Sequence, residues 1–119
     1  MFKTVLLPMD ANPQALDTAV KALELVQGHD SCLVLLELLD LAPDPSLLDR
    51  IKARIDQSGV PCQRLERGGE PLTVILDVAD ELNVDVIVMG TGGVSLNSND
   101  GSTAARVIEL APCPVLVVP

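Results

Sequence analysis

Apolar residues fall along this chain in two rhythms that alternate from one end to the other. The first is a short run: residues 3–9, 31–39, 84–89 and 113–118 are largely aliphatic, as parallel strands covered on both faces are. The second is a recurrence at three and four residues, the spacing of one helix face. It predicts one helix turning Leu16, Ala19, Val20 and Leu23 inward, a second using Leu47, Leu48, Ile51 and Ile55, and a third using Ile75, Val78, Ala79 and Leu82. A fourth helix is expected over residues 102–110. Turn chemistry separates the elements. Asn12 and Pro13 suit an N-cap and a first helical position, Gly28 a helix stop, and Pro43 and Pro45 the opening of the second helix. Gly68-Gly69-Glu70-Pro71 breaks the chain before the third helix, and Asn83 stands where that helix should stop. Residues 60–67 carry Gln63, Arg64 and Glu66, a composition that suits an edge strand.

Five strands interleaved with four helices imply an α/β fold: a single doubly wound domain over residues 1–119, with helices on both faces of a five-stranded parallel sheet. A length of 119 residues is enough for one such domain and too short for two. The expected strand order is 3-2-1-4-5. Its topological switch point lies between strands 1 and 4, at whose carboxyl ends ligands bind in open sheets. Those ends carry Pro8-Met9-Asp10 and Met89-Gly90-Thr91.

Composition narrows the chemistry. Phe2 is the one aromatic residue, so a bound ring must lie between aliphatic groups and backbone, unlike the stacked bases of most single-strand nucleic-acid modules. A formal net charge of −9 opposes any DNA or RNA partner. It does not exclude a small nucleotide, whose phosphates need only a few local N–H groups. The first apolar run is too short for a secretory signal, and no run is long enough to span a membrane. Cys32, Cys62 and Cys113 form no metal-ligand or disulfide pattern and read as buried, reduced thiols within strand-like runs of a cytoplasmic protein. His29, the single histidine, reads as a solvated loop residue. Neither a catalytic constellation nor a metal site can be assembled from these residues.

The position of the glycines decides among doubly wound families. A response-regulator receiver needs an aspartate after strand 3, where this chain has Arg67-Gly68-Gly69. A flavodoxin needs a hydroxyl-rich loop after strand 1, where this chain has Asp10-Ala11-Asn12-Pro13. The dinucleotide fingerprint is missing from the same place. Glycines instead follow strand 4. The opening Val5-Leu6-Leu7-Pro8-Met9-Asp10, the break at residues 68–71, the segment Val86-Ile87-Val88-Met89-Gly90-Thr91-Gly92-Gly93, the pair Gly101-Ser102 and the closing Ala111-Pro112-Cys113-Pro114-Val115-Leu116-Val117-Val118 together resemble the universal stress protein family. Only the stretch between strands 2 and 3 is shorter than that family's usual pattern.

That resemblance implies an adenine-nucleotide site, for ATP or AMP, in a stress sensor or regulator with at most slow, incidental ATP hydrolysis. Nucleotide-binding members share the motif G-x2-G-x9-G-[S/T], which Gly90, Gly93, Gly101 and Ser102 match. Seven residues, 94–100, stand where the motif has nine; Val94 replaces a basic residue, and Asp100 adjoins the phosphate position. A triphosphate beside Asp100 calls for a bridging cation such as Mg²⁺. The implied nucleotide contacts are Pro8, Met9, Asp10, Leu38, Met89, Gly90, Gly93, Gly101, Ser102 and Thr103. Asp10 is equally well read from its position as a helix cap, and Ser102 suits an N-cap with or without a ligand. The last strand, Val115, Leu116, Val117 and Val118, is an unguarded aliphatic edge and is expected to pair with a second copy as a homodimer. The alternative function is a family member that binds no nucleotide and serves as a dimeric interaction module.

Overall fold

Every strand and helix that the two rhythms predict is present in the computed structural model, which describes residues 2–9, 13–26, 30–41, 44–90 and 103–119. Strands β1 (Thr4–Met9), β2 (Cys32–Leu38), β3 (Cys62–Arg67), β4 (Val86–Gly90) and β5 (Val115–Val118) alternate with helices α1 (Ala15–Val26), α2 (Pro45–Ser58), α3 (Pro71–Glu81) and α4 (Thr103–Leu110). A short 3-10 turn, Leu39–Leu41, follows β2. The strands form one parallel sheet in the order β3-β2-β1-β4-β5.

Alternation along β1 divides the interior into two layers. Val5, Leu7 and Met9 join Leu33, Leu35, Val86 and Val88 beneath α1 and α2. Leu6 joins Val34, Leu36, Ile87 and Met89 beneath α3 and α4. Because both faces are covered, β1, β2 and β4 have no polar side to show, and apart from Glu37 near the end of β2 their cores read as aliphatic runs. Each fully buried Leu or Ile contributes about 1.5–3 kcal/mol by its removal from water.

Helix α1 departs from the face that periodicity alone suggests. Ala15, Thr18, Ala19, Ala22, Leu23 and Val26 are buried, whereas Leu16 and Val20 are half-buried on the flanks. Alanines on the inner face let the first turns of the helix approach the sheet closely, and Leu16 and Val20 then fit at its sides. Its start differs too. The Gln14 carbonyl accepts from Asp17 N (3.1 Å) and Thr18 N (3.3 Å), so Gln14 is the N-cap and Pro13 precedes it. Asn12, Gly28 and His29 lie outside the described residues.

Helices α2 and α3 are capped by their own sequence. Asp44 accepts from Ser46 N (3.0 Å) ahead of Pro45 at the start of α2, and Gly59, at φ 72°, closes that helix in the left-handed region. Glu70 accepts from Thr73 N (2.9 Å) and from Thr73 Oγ1 (2.6 Å) at the start of α3. Asn83, at φ 51°, follows α3 as its expected stop. The two Thr73 donors, the hydroxyl first, hold the Glu70 carboxyl below its ordinary 4.5. A carboxyl lowered on folding stabilises the folded state above its unfolded value, and that contribution is lost as pH falls through the lowered one. We expect the Thr73 amide resonance to titrate with a midpoint below 4.5, and Glu70→Gln to abolish that titration.

A carboxylate also ties the amino ends of β1 and β4 together. Asp85 Oδ2 accepts from Lys3 N and Thr4 N, both at 2.9 Å, while Asp85 N donates to the Thr4 carbonyl at 2.9 Å. This turn starts β4 at Val86, two residues later than the apolar run alone suggests. Glu37, the polar residue within β2, lies next to the strand's end and pairs with Lys52 at 3.7 Å.

The three cysteines are free but only half-buried, not buried as their apolar surroundings suggest. Cys62 lies on the edge strand, and Cys113 lies in the turn before β5, where fewer neighbours cover it. Burial, although partial, raises both thiols above their ordinary value. Among the described residues no group of three or more His, Cys, Asp or Glu side chains could hold a metal ion. No described helix is long and apolar enough to cross a membrane.

Candidate functional site

The order β3-β2-β1-β4-β5 reverses direction between β1 and β4, so the connections leaving these two strands diverge to opposite faces of the sheet. A small cleft, partly open to solvent, lies at their carboxyl ends. The sheet supplies its floor: Leu7, Pro8 and Met9 from β1, Met89 and Gly90 from β4, and Leu38 from β2. Ala15 and Thr18 of α1 form one wall. Leu41 of the 3-10 turn, Ile75 of α3 and Thr103 of α4 complete the lining.

Six of the ten residues expected at a ligand site therefore come together in one place. Pro8, Met9, Leu38, Met89, Gly90 and Thr103 are far apart in sequence and line the same cleft. Asp10, Gly93, Gly101 and Ser102 lie outside the described residues, as do Val94 and Asp100. Sequence reasoning missed Leu7, Ala15, Thr18, Leu41 and Ile75. For Thr18 a signal was available, since it stands three residues after Ala15 and one before Ala19 on an otherwise apolar helix face.

The described lining is aliphatic, thioether and hydroxyl in character, with no charged side chain. Met9 and Met89 are nearly covered, at 1% and 7% exposure, and present polarisable sulfur-bearing chains on neighbouring strands. Such a surface can hold a flat, weakly polar ring without an aromatic partner. Thr103 is the first residue of α4, so the positive dipole end of that helix lies at one end of the cleft. The cleft thus combines an apolar interior with an anion-favouring end, an arrangement common in small-molecule sites.

Comparison with known proteins agrees with this architecture. The model of the universal stress protein family matches residues 1–119. A universal stress protein of Synechocystis sp. is 40% identical over 136 aligned positions, which take in 100% of this chain and 87% of that one. The alignment is longer than this chain's 119 residues, so the relative carries segments with no counterpart here. Among solved structures, a universal stress protein in complex with cAMP superposes with a TM-score of 0.81 at 20% identity, covering 99% of this chain and 97% of that one. The universal stress protein from Archaeoglobus fulgidus in complex with dAMP gives a TM-score of 0.71 at 22% identity, covering 100% and 98%. At these identities the structural likeness establishes the fold, and the sequence matches establish kinship. With a family model matched over its whole length and the same doubly wound sheet beneath it, this chain belongs to the universal stress protein family.

Proposed function

We propose that the cleft between β1 and β4 binds an adenine nucleotide, ATP or AMP, and that the protein acts through this binding as a sensor or regulator, any ATP hydrolysis being slow and incidental. The observation that carries the reading is the convergence of Pro8, Met9, Leu38, Met89, Gly90 and Thr103 on one cleft at the switch point. The complexes that relatives of the same fold form with cAMP and dAMP support it. In this reading the base and ribose occupy the apolar interior, near Leu38 and Asp10. The phosphates lie toward Gly90 and the start of α4, where Gly93, Gly101 and Ser102 would complete their cradle. The described lining offers no carboxylate to Mg²⁺, which enters the reading only through Asp100. Free Cys32, Cys62 and Cys113 suit a reducing, cytoplasmic setting.

Thermal-shift and calorimetric titrations with AMP and ATP, with and without Mg²⁺, test the proposal. Ligand at a hundredfold excess over Kd should stabilise the fold by about 2.7 kcal/mol. Failure of both nucleotides to bind would leave the second reading, a dimeric interaction module. One observation favours an interaction role in either case. Among the described residues strand β5 pairs only with β4, and Leu116 on it is 41% exposed. Beside it Leu25, Val117, Val118 and Pro119 line an apolar groove rimmed by Lys21 and Glu24. We propose that this edge pairs with its own copy, antiparallel about a two-fold axis.

A further inference from the structure

Among the described residues, two side chains lining the cleft carry a hydroxyl, Thr18 and Thr103, and Thr18 is the more deeply placed. It occupies the second turn of α1, is 5% exposed, and stands beside Leu7, Met9 and Ala15. A threonine inside a helix generally donates its hydroxyl to the carbonyl one turn back. Here the Gln14 carbonyl receives the backbone N–H groups of Asp17 and Thr18 instead, and no described residue hydrogen-bonds Thr18 Oγ1. No buried side-chain oxygen among the described residues lacks a partner while sealed from solvent, so this unpartnered oxygen opens to the cleft. A hydroxyl held in so apolar a place without a partner costs free energy that a methyl group would not. A ligand in the cleft can recover that cost.

We propose that Thr18 is a specificity-determining residue, whose hydroxyl hydrogen-bonds the nucleoside part, base or sugar, of the bound adenine nucleotide. The inference rests on the nucleotide reading given above. Its assignment to the nucleoside follows from the surroundings. A phosphate is drawn to the positive dipole end of α4 beside Gly90, whereas Thr18 lies one turn into α1 with its N–H already used and with apolar neighbours. A single hydroxyl on an apolar wall suits one edge of a base or one ribose oxygen.

The test is Thr18→Val, nearly the same shape and of similar helix propensity, with AMP and adenosine each titrated into wild type and variant. Both ligands should weaken by the same factor, about 2- to 12-fold, while the ligand-free Tm stays level or rises. Thr18→Ser, which keeps the hydroxyl, should retain most of the affinity. Unchanged affinity for both ligands overturns the inference, as does a loss confined to AMP, which would mark a phosphate contact. A lower ligand-free Tm in Thr18→Val also overturns it, because the hydroxyl would then have its partner inside the protein. If wild type binds neither AMP nor adenosine, the nucleotide reading falls and takes this inference with it. Binding by wild type that is insensitive to Thr18 sinks the inference alone.

Discussion

Replacing Gly90 by valine should weaken the proposed nucleotide binding by about 10- to 100-fold and leave the protein folded. Gly90 ends β4 and lines the cleft with backbone alone, paired in register with Val118. A branched side chain there occupies space the ligand needs, and misfit of that size in a packed site typically costs about 1–3 kcal/mol. The effect on folding has the opposite sign. Glycine weakens a strand and valine favours one, and Gly90 has none of the positive φ values that would demand glycine. The variant should therefore melt no lower than wild type while its calorimetric titration with AMP flattens. Full AMP affinity in Gly90→Val would place the ligand elsewhere.

The second large effect concerns assembly. Leu116→Lys should convert a dimer into a monomer across micromolar concentrations in sedimentation equilibrium. In the single chain Leu116 is 41% exposed, so a lysine there disturbs the protomer little and its circular dichroism should be unchanged. Across a two-fold axis the substitution acts twice, removing an apolar contact worth about 1.5–3 kcal/mol from each half and bringing two positive charges to one seam. Dissociation should strengthen by at least about two orders of magnitude. Val115 is a poorer probe, because it packs on the α3 and α4 side in register with Ile87. A wild-type protein that is monomeric at every accessible concentration would remove the proposed interface.

The strands were legible because their burial is two-sided. Val34, Leu35 and Leu36 point alternately to opposite faces, yet all three are covered, so no polar position interrupts them. On the edge the same logic works in reverse, and Gln63 and Arg64 marked β3 as the strand with an open side. Half of the candidate site was legible for a related reason: Pro8, Met9, Met89 and Gly90 are strand ends, and strand order alone brings strand ends together. What escaped was set by size and by three-dimensional neighbours. Hydrophobicity favours Leu16 and Val20 as the inner residues of α1, but close approach to the sheet favours Ala15, Ala19 and Ala22. The part of Ile75 in the cleft depends on what faces it across the cleft, which periodicity along one helix does not report. The start of β4 was misplaced because Asp85, instead of continuing the strand, turns its carboxylate back to Lys3 and Thr4.

The Asp85 tie also bears on how the chain is completed as it is made. Strand β1 is made before the other four, yet it ends up in the middle of the sheet. One of its edges can close once β2 has been synthesised. The other must wait for Asp85 and Val86–Gly90, nearly eighty residues further on. At about 5–20 residues per second that wait lasts roughly 4–15 s, during which the aliphatic backbone of Val5, Leu6 and Leu7 offers an unpaired ladder to any passing strand. A nascent chain paused before residue 85 thus leaves open the edge of a strand whose core residues the finished protein covers on both faces, and is a form in need of a chaperone.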